Sequence, residues 1–424
     1  MQFFIPPDFQ LPVAWFADAA LPGVIKQYQN IDAILIDKSD RQMLRSLRKE
    51  RLLFFTNHPS QAEPMIAYHV ANVMGARFNY MATRRAFDFL FGAVGKLFQS
   101  VGAYSVIPGI ADRDSMRMTR SILANSGGKL VLFPEGEPMC GENDSLMPFQ
   151  PGIIKLSFGA LQDARKKDAS ADIIILPGFI KYKFEATEAE IREDLHKSIR
   201  EIEIALGVDP GQRNLLRQFL MVGRLLLEQA EKEYAIEVKP DSDFDYRIGR
   251  VRHRMLDNIA RRMELKNYNK ESDAINKLRH LTSILELIEI NYPMKDLPKL
   301  SAADMKWCQR ECVKAYDMIV IKREYLVSRP TPERFYEWLA RFESYVLGKT
   351  PRMLGGHPPQ LPRNAYLSFA TPFKLGQYYD DYSRDKSKTV EKVLGKLRQD
   401  MEKLLEDSHQ LTYTLVDPGD VGGV

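Results

Sequence analysis

The sequence predicts an α/β fold: a largely parallel sheet flanked by helices, followed by a mainly α-helical second domain. Three observations predict it. Between about residues 50 and 180, short apolar runs of strand type alternate with helical stretches, the order of parallel strands joined by crossover helices. The run 172–179 is apolar almost without interruption, as a strand buried on both faces requires. Beyond about residue 190 long charged–apolar stretches of helical period take over.

Taken in order, residues 1–45 form an apolar, helical extension broken early by Pro6, Pro7 and Pro12. Its first basic residue is Lys26, so it lacks the charged start and continuous apolar run of a secretory signal. The α/β domain spans 46–188. It opens on a strand at 52–56 and a helix at 64–74 stopped by Gly75. A strand at 77–82 follows, and Thr83 is placed to cap a helix running to about 99. Next come a strand at 103–107, a helix at 114–124 ended by Gly127 and Gly128, and a strand at 129–133. Phe149 to Gly152 leads into a further helix before the last strand, 172–179. The helical domain, 189–415, holds helices at 190–205, 214–234, 246–265, 274–290, 301–327, 332–346 and 389–408. Residues 351–362 read as a Pro/Gly-rich linker, and 416–424 as a frayed tail.

Composition bounds the function. The chain's 424 residues exceed what one core usually covers, hence two domains. Sixty Lys and Arg against 56 Asp and Glu leave a charge of +4, too balanced to indicate nucleic acid. Cys140, Cys308 and Cys312 are too few for a disulfide framework, and the spacing of the last two does not match a zinc ribbon. No metal is expected. No stretch reaches the ~18 apolar residues that a spanning helix needs. A cytoplasmic, reducing location is expected.

Two segments carry chemistry. The first, Asn57-His58 with Glu63 and Pro64, follows directly on a strand. A histidine accepts a proton near neutral pH, and a carboxylate is needed to fix its tautomer. Residues five apart on a continuous helix lie about 140° from each other and would not share a face. With Pro64 at the first helical position and His58 in the preceding turn, a turn that curls back brings the two side chains together. Ser60 and Glu63 also fit a capping box, which gives the same residues a purely structural role. The second segment, Phe133-Pro134-Glu135-Gly136, again ends a strand. Ligands of open α/β sheets collect at the carboxyl ends of strands, so the two loops are expected to flank one crevice.

In this order and spacing the segments resemble the glycerolipid acyltransferases, typified by lysophosphatidic acid and glycerol-3-phosphate acyltransferases. The family's first motif, Asn-His-x-x-x-x-Asp, matches Asn57-His58 and Glu63-Pro64. Its third, Phe-Pro-Glu-Gly-Thr-Arg, matches Phe133 to Gly136, with Phe149 and Gly152 after it. Its fourth matches Ile175-Leu176-Pro177. The resemblance covers roughly residues 45–185. It implies that His58 takes a proton from an acceptor hydroxyl, which attacks the thioester of an acyl-CoA or acyl-carrier protein. Glu63 orients the imidazole; Asn57, Phe133, Pro134, Glu135 and Gly136 line the acceptor side. The donor is already activated, so no cofactor is implied beyond that co-substrate. A lipid or glycerol-type acceptor implies phospholipid biosynthesis at the cytoplasmic face of a membrane.

The sequence departs from the family in three places. Glu63 replaces Asp, Pro108 stands where the second motif carries a phosphate-binding Arg, and Glu137-Pro138 replaces Thr-Arg. Arg113 and Arg117 lie just beyond Pro108 and are either replacement acceptor contacts or solvated helix residues. Arg84 and Arg85 are either plain surface charge or contacts for donor phosphates. For membrane docking the candidates are Phe3-Phe4-Ile5, Leu11, Trp15 and Phe16, which otherwise cap the core, and the basic stretch Arg247, Arg250, Arg252, Arg254, Arg261 and Arg262, which otherwise is a solvated helix face salt-bridged to nearby acids. The departures also allow a catalytically eroded lipid-binding or scaffold protein on the same fold.

Overall fold

The computed structural model describes all residues except 1–2, 137–142, 210, 239–242, 350–360 and 422–424. Glu137, Pro138, Cys140 and nearly all of the 351–362 stretch lie outside the described residues. The chain divides into two compact units, Met1–Lys183 with Pro362–Gln410, and Phe184–Leu361 with Leu411–Val424.

The first unit is built on a sheet of β1 (Ile31–Ile36), β2 (Leu52–Phe55), β3 (Asn79–Thr83), β4 (Ala103–Val106), β5 (Lys129–Leu132), β6 (Ile174–Phe184), β7 (Arg363–Phe369) and β8 (Phe373–Lys374). Their order is β1-β7-β6-β2-β5-β3-β4, with β8 antiparallel on β6. β1 is parallel to β7, β2 to both β5 and β6, and β3 to both β4 and β5. The four residues of β2 are buried on both faces, which is why they read as an unalternating apolar run. The mixed, mostly parallel sheet with helices around it is the architecture expected.

The boundaries differ from those expected. β1 comes from the 1–45 extension, and β7 and the helix Lys386–Ser408 come from the region read as helical domain. Val390, Val393, Leu397 and Met401 of that helix are buried with Leu53, Phe55 and Phe158 in one core. Such pairing across some three hundred residues leaves no local pattern to read. The single helix expected over 83–99 is also broken. A 3-10 segment, Arg84–Gly92, precedes the helix Ala93–Ser100, with Leu90 and Phe91 at φ +49° and +55°. The chain reverses because Phe87 is buried edge-on against Phe98, and Gly95 lies so close to the Phe87 carbonyl that a Cβ would come within 2.3 Å of its oxygen. Phe89, Leu90 and Phe91 are left exposed.

In the second unit, seven helices occupy the described residues from Glu188–Leu206 to Pro332–Leu347. The helix expected over 301–327 is two, Ala302–Val320 and Arg323–Ser328, because buried Ile321 takes an extended conformation between them. Cys308 and Cys312 are buried free thiols. In the basic stretch of the helix Phe244–Arg262, Arg247 pairs with Glu231, half-buried Arg252 is turned inward, Arg250 donates to the Glu237 carbonyl, and Arg254, Arg261 and Arg262 are exposed, the last pairing with Asp304.

Candidate active site

β2, β5 and β6 run parallel, with Phe55 of β2 opposite Leu132 and Pro177. The carboxyl ends of adjacent strands therefore deliver His58 and the 133–136 loop to one place. The turn after β2 curls back, and His58 Nδ1 lies 2.7 Å from Glu63 Oε2. Helix Glu63–Met74 starts on Glu63 with Ala62 as its cap, one residue earlier than the expected start on Pro64. Nδ1 is engaged, so Nε2 is the nitrogen available to a reacting group. The His58 ring stacks on Phe133 with centroids 3.9 Å apart.

Glu63 is fully buried. Oε2 also accepts from the Ser60 amide at 3.0 Å, and Oε1 from the Ser60 hydroxyl at 2.7 Å and from the Tyr182 hydroxyl. The capping box does not form, because Ala62 rather than Ser60 caps the helix and Glu63 is its first residue; the carboxylate still reaches back to the Ser60 turn and holds the imidazole as well. Burial pushes the Glu63 pKa up, but the His58 hydrogen bond and charge, with the Tyr182 and Ser60 hydroxyls, outweigh it and leave the pKa below the usual 4.5.

Glu135 is buried too, and it faces the protein's own backbone. Oε1 accepts from the His58 amide at 3.2 Å and Oε2 from the Met147 amide at 2.7 Å. Burial raises its pKa despite these two amides. Gly136 takes φ +95° and packs against the Gln150 side chain, where a Cβ would come within 2.4 Å of Nε2. Its amide closes the turn on the Phe133 carbonyl at 3.0 Å, and Pro134 accepts from the Gln150 amide at 2.8 Å. Asn57 is likewise internal. Its amide nitrogen donates to the Ile180 carbonyl at 3.0 Å and its oxygen accepts from the Ile180 amide at 2.8 Å. β6 runs on past the end of β2, and Asn57 and Asn143 satisfy the backbone groups that β2 no longer reaches.

The expected acceptor-side cations are dispersed. Arg113 and Arg117 are exposed at the start of the helix Arg113–Ala124, Arg117 within 3.4 Å of Asp114. Of the donor candidates, Arg84 is buried after β3 and ion-paired with Asp88 at 2.7 Å, whereas Arg85 is exposed. Phe4 and Ile5 are not outward anchors. Phe4 joins the core beside Tyr104, and Ile5 exchanges hydrogen bonds with Ser105, covering the edge of β4.

Sequence reasoning missed Tyr182, Asn143 and Arg398. Arg398 donates to the Met147 and Leu146 carbonyls at 2.8 and 3.0 Å, clamping the loop that engages Glu135. Each acts on a partner far away in the chain, 119 residues for Tyr182 and Glu63, so none carries a local signal.

Residues 35–181 match the family model described as Acyltransferase. No curated protein matches the chain. The matched segment includes both loops of the site, His58 to Glu63 and Phe133 to Gly136. Residues 35–181 therefore form an acyltransferase domain, of the family of glycerolipid acyltransferases such as those acting on lysophosphatidic acid and glycerol 3-phosphate.

Proposed function

We propose that this domain moves a fatty acyl group from the thioester of acyl-CoA or an acyl-carrier protein to a hydroxyl of a glycerolipid-type acceptor, with His58 as general base. The observation that carries the reading is the 2.7 Å contact between His58 Nδ1 and the buried Glu63 carboxylate. Nε2 takes the hydroxyl proton as the oxygen attacks the thioester carbonyl; Glu63 fixes the tautomer and stabilises the imidazolium. The C–O bond forms, the C–S bond breaks, and the proton passes from His58 to the leaving thiolate. A thioester is already activated, so the transfer needs no further cofactor. Glu135 and Asn57 support the turn from behind. Arg85, exposed after β3 at the carboxyl edge of the same sheet, is the cation offered to donor phosphates, since Arg84 is buried and paired with Asp88.

Thioester release in the presence of candidate acceptors is the test. His58→Ala is expected to lower the rate on the order of 10²–10⁴-fold. Equal rates in the variant and the wild type would exclude the base assignment and leave the non-catalytic lipid-binding reading, which Pro108 favours. A peripheral seat on the cytoplasmic face of a membrane belongs to the same proposal. It is supported by exposed Leu11, Trp15 and Phe16 on one helix and by the exposed trio Phe89, Leu90 and Phe91. Co-flotation with lipid vesicles is the measurement that tests it.

A further inference from the structure

Glu63 differs from the aspartate of the motif that this turn resembles by one methylene, and so by one more rotatable torsion. A carboxylate on that longer arm orients an imidazole only if its far oxygen is also held. Oε2 faces His58; Oε1 is held by the Ser60 hydroxyl at 2.7 Å and by the hydroxyl of Tyr182. Tyr182 is itself fixed. Its amide donates to Asn143 Oδ1 at 2.7 Å, and the Arg363 guanidinium lies 4.1 Å from its ring centroid. Tyr182 falls one residue beyond the matched segment 35–181, and Arg363 far outside it.

We infer that Tyr182 is a positioning residue for acyl transfer: with Ser60 it locks the Glu63 carboxylate in the one orientation that presents Oε2 to His58. The inference rests on the reading of His58 as general base. Tyr182 touches no reacting atom, and its effect passes through Glu63 to the imidazole. It also stabilises the carboxylate as an anion, because a neutral acid would lose the charge-assisted part of this hydrogen bond. Removing the donor makes the His58–Glu63 pair bind its proton more tightly.

The test is steady-state kinetics against pH on the full chain, with wild type, His58→Ala, Tyr182→Phe, Glu63→Gln and the Glu63→Gln/Tyr182→Phe double variant. Tyr182→Phe is expected to lower kcat roughly tenfold to a hundredfold with little change in KM, the size expected for a lost hydrogen bond to a charged group. It is also expected to move the acid limb of kcat/KM to higher pH, which a general loss of folding would not do. In the Glu63→Gln background the same substitution is expected to cost little more, since the two residues act as one unit. An unchanged kcat and acid limb in Tyr182→Phe, or full additivity with Glu63→Gln, overturns the inference while an inactive His58→Ala leaves the base assignment standing. A fully active His58→Ala removes the reading on which the inference rests. If Tyr182→Phe lacks the wild-type thermal transition, Ser60→Ala takes its place, because it removes the other Oε1 donor and carries the same coupling expectation.

Discussion

Two buried carboxylates engage His58, Glu63 at its ring and Glu135 at its backbone amide, and their pKa values are shifted in opposite directions. Glu63 has its folded-state pKa below the ordinary 4.5, so its ionisation stabilises the fold above that value. The contribution is lost as pH falls through the lowered folded value. Glu135 has its pKa raised, so its contribution is present below the ordinary value and lost as pH rises through the folded one. The His58 and Met147 amides offset part of the cost that burial imposes on the Glu135 charge. Glu63→Gln is expected to flatten the decline in thermal stability below about pH 4.5, because the lost anion is the group whose protonation drives it. Thermal unfolding followed across the acid range checks it. Parallel curves for the two proteins would mean that Glu63 is not the carboxylate responsible.

At the scale of elements, the 3-10 segment Arg84–Gly92 and the helices Leu11–Gln29 and Ala93–Ser100 present apolar side chains to solvent. Positive φ at Leu90 and Phe91 is costly for bulky residues and buys no core contact, since Phe89, Leu90 and Phe91 are all exposed. On the Leu11–Gln29 helix, Ala14, Leu21 and Ile25 face inward while Trp15 and Phe16 face out. Each large apolar side chain moved from water into lipid contributes about 1.5–3 kcal/mol. Replacing Trp15, Phe16 and Phe91 together by Ser is expected to lower co-flotation with vesicles at least about tenfold, with thioester turnover on a soluble acceptor analogue retained. Unchanged flotation would place the membrane contact elsewhere or exclude it.

Considered whole, the first unit is not contiguous in sequence. β7 lies between β1 and β6, and β8 pairs with β6, so residues 362–410 complete the sheet from within. The family match ends at 181, but the folded unit does not. Val390, Val393, Leu397 and Met401 are buried at about 1.5–3 kcal/mol each, together comparable to the whole stability of a domain. A fragment ending at residue 188 is expected to show no cooperative thermal transition by near-ultraviolet circular dichroism, in contrast to the full chain. A cooperative transition in the fragment would mean that the sheet closes without β7.

Much of this molecule is legible locally. The strand-type run at 52–56, the helix stopped by Gly75 and the strand ending at Phe133 follow from period and turn chemistry, and they put His58 and Glu135 at the carboxyl ends of adjacent strands. What those residues do there is not legible locally. Asn57 and Glu135 spend their hydrogen bonds on Ile180, Met147 and the His58 backbone, and Arg113 and Arg117 remain at the surface. The sequence by itself determined the fold class, the His58–Glu63 turn and the 133–136 loop, because each leaves its period, turn chemistry or motif within a short segment. Only the tertiary structure decided the membership of β7, the Tyr182 and Arg398 supports and the reversal at 89–91, because each rests on packing between segments whose separation hides it from local pattern.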